Sequence, residues 1–304
     1  MIFVSNCFRN IHFNLSRAYS TSSSSADYCL DLVRKFDYEN FMAVLLLKNQ
    51  RRSTALAVRS FNVEVARIAE QTTQNSTRQA RLQFWNDTVE KCFSKDIQKV
   101  PQHPVAVELY KAVCRSNLTK RYFHNLIRGR YSHLNLTNFK NLEEMEVYAE
   151  ETVSNVYYLI LEGCGVKNIH ADHVASHLGK AQGIVNSLRS IVLARQLNFI
   201  PVPQEILVKY SISEEEILKG RSSSKLGDCT YEIASRAYQH LSKARNLLDK
   251  LPRDCIPVFI SAVTVDGFLQ KLQVEQYDIF SPSLKRKPLF WLPKMMWYNL
   301  RNKY

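Results

Sequence analysis

Four residues near the middle of the chain, His170, Asp172, His173 and His177, are of types that ligate metal ions. His173 and His177 lie four apart, the spacing that sets two side chains on one helix face. No glutamate stands between them in the register a zinc hydrolase uses for its base, and the stretch falls where a helix should begin, a place that favours Asp172 electrostatically. Capping and packing account for these residues, and no metal is expected. Upstream, Glu143, Glu144, Glu146, Glu150 and Glu151 crowd one helix. A solvated acidic face is the expectation, with docking of a basic segment as the alternative. The stretch 120-KRYFHNLIRGR-130 interleaves cations with aromatics, but Tyr122, Phe123, Leu126 and Ile127 are spaced as core residues. In the last twenty residues Lys285, Arg286, Lys287 and Lys294 alternate with Phe290, Trp291, Trp297 and Tyr298. Rings that enter a headgroup layer beside cations that meet anionic lipid make a peripheral membrane contact the expectation. The alternative is a tail docked on its own domain.

The elements that would carry these residues are helices. Apolar residues recur at helical period in 28–47, 54–71, 78–94, 104–115, 118–128, 139–163, 171–197, 226–250 and 258–274. Breakers fall between them: Pro101 and Pro104, Gly129, Gly163 and Gly165, Pro201 and Pro203, Gly220, Pro252 and Pro257. Ser213 followed by Glu216 reads as a capping box. No segment alternates strictly, so the expected fold class is all-α, one helical domain over 27–280 with a short basic aromatic tail over 281–304.

The 304 residues carry a net charge of +13. Residues 1–26 hold two cations and no acid, and residues 281–304 hold six cations and no acid, which leaves 13 − 2 − 6 = +5 for the body. A nucleic-acid-binding body is therefore not indicated. The first 26 residues are Arg-bearing, Ser-rich and acid-free, the pattern of a mitochondrial transit peptide. Seven dispersed cysteines without Cys-x-x-Cys spacing exclude the usual zinc and disulfide frameworks. No run approaches the roughly 20 apolar residues of a membrane span.

Two of the predicted helices resemble the signature helices of the squalene/phytoene synthase family. Phe61-Asn62-Val63-Glu64 sits where active members show an aromatic followed by Cys-Arg. Asn186 and Leu188-Arg189 match the family's second signature, and Phe199-Ile200-Pro201 matches its Tyr-Leu-Pro. The resemblance implies an isoprenoid-synthase-like fold and assigns roles by position. Active members carry Asp-x-x-x-Asp on each helix, two carboxylates on one face that hold Mg²⁺ against a prenyl diphosphate. Those positions here are Ala66 and Glu70, then Ser190 and Ala194. Val63 replaces a diphosphate-contacting arginine, and Gly183 replaces a glutamine, with Gln182 one position off and about 100° round the helix. Val153, Ser154 and Tyr157 occupy small-residue positions that give the prenyl chain room. Asn186 and Arg189 survive as the residual family site.

The nearer resemblance is to a divergent mitochondrial branch of that family, carried by 103-HPVAVEL-109, Ala171-Asp172-His173 with His177, and 179-GKAQG-183. It implies a non-catalytic assembly factor for respiratory complex I, on the matrix side of the inner membrane. Its partners would be complex I subunits or assembly intermediates, with no cofactor and no metal. The rival expectation is an isoprenoid- or lipid-binding module whose apolar tunnel outlived the metal sites.

Overall fold

Asp37 divides the first long apolar stretch. The computed structural model describes residues 24–285 and 290–304. In it α1 (Ser25–Phe36) and α2 (Tyr38–Leu45) meet at Asp37, which adopts a non-helical backbone with its side chain turned inward. Helix α1 opens on a reciprocal capping box between Ser24 and Asp27. A segment boundary at residue 26 therefore falls inside its first turn, and only residues 1–23 of the expected transit segment lie outside the described residues. Then come α3 (Asn49–Gln71), α4 (Asn75–Phe93), α5 (Pro104–Arg115) and α6 (Lys120–Ser132). The nitrogen of the His103 ring caps α5 and Pro104 opens it.

The expected helix over 139–163 is interrupted. Helix α7 (Leu142–Ala149) and α8 (Asn155–Gly163) flank a single π turn at Glu150–Ser154. The wider turn brings the backbone of Ala149 and Ser154 against two glycines of α9 (Ile169–Ser190). A Cβ built on Gly183 would lie 2.3 Å from the Ala149 Cβ, and one on Gly179 would lie 2.6 Å from the Ser154 Cα. Only hydrogen fits at these two positions. Helix α9 also lies along α13 (Ser224–Arg245), introduced after the short helices α10 (Ala194–Leu197), α11 (Gln204–Lys209) and α12 (Glu214–Lys219). Gly220 ends α12 at positive φ, and the capping box at Ser213–Glu216 is present. Helix α14 (Ala262–Val274) completes the central bundle. The described residues hold no β-strand, only an isolated bridge between Asn138 and Ile200. The all-α expectation holds.

The C-terminal segment differs from a separate tail. Its helix α15 (Trp291–Leu300) packs on α14 and α2. Trp291 fills a notch that only a glycine leaves: a Cβ on Gly267 would meet the indole at 1.9 Å. Met295 is fully buried, and the Tyr304 hydroxyl donates to the Ala244 carbonyl at 2.8 Å. These three residues belong to the core. Phe290, Met296, Trp297 and Leu300 face outward. No single described helix is long and apolar enough to cross a membrane; the bent pair Arg253–Phe259 and Ala262–Val274 passes that test only jointly.

Candidate functional site

The two signature helices, α3 and α9, approach around a cavity of about 40 Å³. Small-molecule sites usually enclose roughly 300–1,000 Å³. The space is filled by polar side chains that form one connected chain. The Tyr157 hydroxyl on α8 donates to Gln182 Oε1 on α9 at 2.7 Å. A phenol has one proton, so the 2.5 Å contact with Ser261 is donated by the serine. Gln182 Nε2 donates to Asn40 Oδ1 at 3.2 Å, and Asn40 Nδ2 donates to Asp37 Oδ1 at 2.7 Å. Arg59 Nη1, on α3, closes the chain on Asp37 Oδ2 at 3.2 Å. Tyr157 is 0% exposed and Arg59 3% exposed, so the network lies in the centre of the protein. Burial pushes the Asp37 carboxyl above the usual range, against the opposing pull of the Arg59 guanidinium.

A second space, of about 670 Å³, opens where the C-terminal end of α3 faces the loop after α6. Val65, Ile68, Leu82 and Leu136 line it, together with a cluster of rings. His133 and Tyr148 lie 4.6 Å apart between centroids, Phe139 and Phe199 5.2 Å apart. Arg130 and Tyr148 belong to the walls of both spaces.

The residues singled out from the sequence divide between these two places. Ala66 and Glu70 line the larger cleft, Ala66 buried and Glu70 exposed at its rim. Asn186 and Arg189 line the small cavity. Arg189 donates to Glu39 Oε2 at 2.9 Å and lies 4.6 Å above the Phe268 ring, so an internal ion pair occupies it. Ser190 and Ala194 do not lie on one continuous helix as expected. Helix α9 ends at Ser190, a 3₁₀ turn covers Ile191–Leu193, and α10 restarts at Ala194. Both are buried, and the Ser190 hydroxyl is bonded to the Ser187 carbonyl at 2.8 Å. Carboxylates there would be costly to bury.

Other expectations are corrected. Gln182, one position away from the family glutamine, still reaches the cavity because Gly183 lets α9 press against Ala149. The acidic face is only partly solvated: Glu143 is exposed, but other glutamates of that face have partners within the protein. Glu146 receives Arg236 and His240, Glu150 receives Tyr158 and Ser176, and Glu151 receives Arg128. His177, expected to cap or pack, has its Nδ1 3.0 Å from the Nδ1 of His240 on α13. Among the described residues no group of three His, Cys, Asp or Glu side chains is arranged to hold a metal. Of the residues expected at a membrane, Trp291 is inside the protein. Arg286 and Lys287 lie outside the described residues. Lys285 and Trp297 are exposed, and Lys294 stacks 5.6 Å over Trp291.

Sequence reasoning missed Arg59, Asp37, Asn40 and Arg130. One signal was present: Arg59, Asn62 and Ala66 form a stripe at helical spacing through the buried face of α3. Arg59 and Asn62 are polar exactly where packing asks for apolar side chains, if residue type is set aside and phase is followed.

The squalene/phytoene synthase family model matches residues 33–291. A dehydrosqualene synthase crystallised with ligand superposes with a TM-score of 0.74 at 16% identity, over 91% of this chain and 97% of that one. The 15-cis-phytoene synthase of Synechococcus elongatus is 20% identical over 87% of this chain and 89% of its own. The bovine protein named NADH dehydrogenase (ubiquinone) complex I, assembly factor 6 is 40% identical over 88% of this chain and 79% of its own. The chain therefore belongs to the squalene/phytoene synthase family, with twice the identity to the assembly-factor relative that it has to this synthase.

Proposed function

We propose that this protein is an assembly factor for respiratory complex I that uses a synthase fold as a non-catalytic scaffold. The observation that carries the reading is the filled centre: a 40 Å³ cavity crossed by the Arg59–Asp37–Asn40–Gln182–Tyr157–Ser261 chain. A prenyl chain has no room there, and Glu70 alone cannot hold a Mg²⁺ cluster. The same observation weighs against the tunnel of the isoprenoid-binding alternative. The name of the bovine relative supports complex I subunits or assembly intermediates as partners. That partnership supports a mitochondrial location, with residues 1–23 as most of an import signal. Attachment to the matrix face of the inner membrane would then use Phe290, Trp297 and Leu300, the outward side of α15, beside Lys285 and Lys294.

The test is genetic and biochemical. Cells lacking the protein should lose mature complex I on native gels while other respiratory complexes persist. A Glu70→Ala/Ser190→Ala copy should restore it. A double variant that folds and fails to rescue would mean that the relic positions still do chemistry.

A further inference from the structure

Arg130 is a buried cation without an anion. It is 7% exposed, and its guanidinium makes two hydrogen bonds, both to neutral acceptors: Nη1 to the Leu126 carbonyl and Nη2 to Asn62 Oδ1, each at 2.6 Å. A guanidinium has five N–H donors, so 5 − 2 = 3 are left over, and Nε is among them, buried and unpartnered. Among the described residues no carboxylate comes within 4.0 Å of Arg130, although the neighbouring buried Arg59 has Asp37. Burial lowers the Arg130 pKa to about 10. Buried charges in proteins are normally paired, because desolvation of a lone ion costs several kcal/mol.

The cleft beside Arg130 supplies what the guanidinium lacks room for elsewhere. It is about 670 Å³, within the usual size of small-molecule sites; its apolar walls include Val65, Ile68, Leu82, Leu136, Phe139 and Phe199, and the Glu70 carboxylate stands at its rim. One more buried polar atom is unpartnered on that wall. His133 Nδ1 is 2.8 Å from the Gly129 carbonyl and so carries the proton, which leaves Nε2 without a partner. We propose that the cleft between the end of α3 and the loop after α6 binds an amphiphile with a carboxylate head, its charge on Arg130 and its hydrocarbon along the aromatic wall. The head is placed on Arg130, because the other arginine of the lining, Arg78, is already held by the Thr72 and Ala69 carbonyls and by Asn75. No metal takes part. The site lies outside the filled central cavity, and the inference does not rest on the assembly reading.

Direct binding tests this on the delipidated full chain with cis-parinaric acid, a fluorescent fatty acid, as the probe. The wild-type protein should bind it without Mg²⁺, and a fatty alcohol of equal length should displace it poorly. Arg130→Met should weaken binding roughly tenfold or more, since a charge-assisted hydrogen bond is lost. In ligand-free protein the same variant should melt close to wild type, because relief of a lone buried cation offsets the loss of the Asn62 Oδ1 partner. If Arg130→Met fails to fold, Leu136→Glu at the exposed lip of the cleft decides, placing a repelling charge there without touching the core. Parinarate binding equally to wild type and either folded variant, absent from wild type, or matched by the neutral alcohol overturns the proposal.

Discussion

Tyr157 and Gln182 share a 2.7 Å hydrogen bond across the crossing of α8 and α9, in the wall of the small central cavity. The ring supplies volume and the amide supplies a partner for its hydroxyl. A tyrosine with no such partner would bury an unsatisfied group, and a smaller residue would leave a hole. The two residues close the centre together.

The first prediction concerns the ion pair at the end of that chain. Removing Arg59 alone leaves the Asp37 carboxylate buried without its cation. Arg59→Met should lower stability by about 3–5 kcal/mol. Asp37→Leu together with Arg59→Met should recover much of the loss, because neither charge remains. Urea melts of the two variants check this. Equal destabilisation in both would show that the pair is not the cause.

The second concerns the glycine interlock. A methyl at Gly183 would stand 2.3 Å from the Ala149 Cβ. Gly183→Ala should therefore cost about 1–3 kcal/mol through overpacking. Gly179→Ala, which meets the Ser154 hydroxyl at 2.2 Å and also the backbone of the π turn at 2.6 Å, should cost more. At Gly165, where no heavy atom lies within 4 Å but φ is +73°, alanine should cost about 1 kcal/mol from backbone strain alone. Thermal melts rank the three.

The third concerns pH. Burial, then the neighbouring His240, lower the His177 pKa from its ordinary value to about 4. Lys243, Lys180 and His173 act in the same direction. The folded value lies below the unfolded one, so this histidine's contribution is whole above about pH 6.5 and is lost as pH falls toward 4. His177→Gln should flatten that part of the stability curve between pH 7 and 5. A variant whose melting temperature falls as steeply as wild type over that range would rule the pair out as the cause.

The fourth concerns α15. Deleting residues 290–304 should unfold more than a tail, since Trp291, Met295 and Tyr304 are core residues. Trp297→Ser with Leu300→Ser should leave the melting temperature unchanged and reduce sedimentation with cardiolipin-containing vesicles. Full retention on those vesicles would remove this face as the membrane contact.

Most of the helices were legible in the sequence because a buried stripe at helical period is a long-range pattern that survives local irregularity. The π turn was not, since one extra residue within 150–154 leaves the surrounding apolar spacing intact. The break at Asp37 was hidden for a different reason: Leu32, Val33, Phe41 and Val44 keep their inward phase on either side of it. Ala66 and Glu70 were singled out through the family resemblance, and the structure sets both in the lining of the larger cleft. Arg59 and Arg130 were passed over because charged residues belong at the surface by default, and only the tertiary partners of each show why it is inside. Trp291 was read by its neighbours in sequence, whereas its partner is Gly267, remote in the chain.

The filled centre also bears on redesign. Placing aspartates at positions 66, 190 and 194 would not by itself open the centre to a prenyl chain. Tyr157 would still occupy the path, and shrinking it would strand Gln182, Ser261 and, through Asn40, the Asp37–Arg59 pair. A change at any one of these side chains is felt by its neighbours, so the centre opens only through several coordinated substitutions, each harmful when made alone.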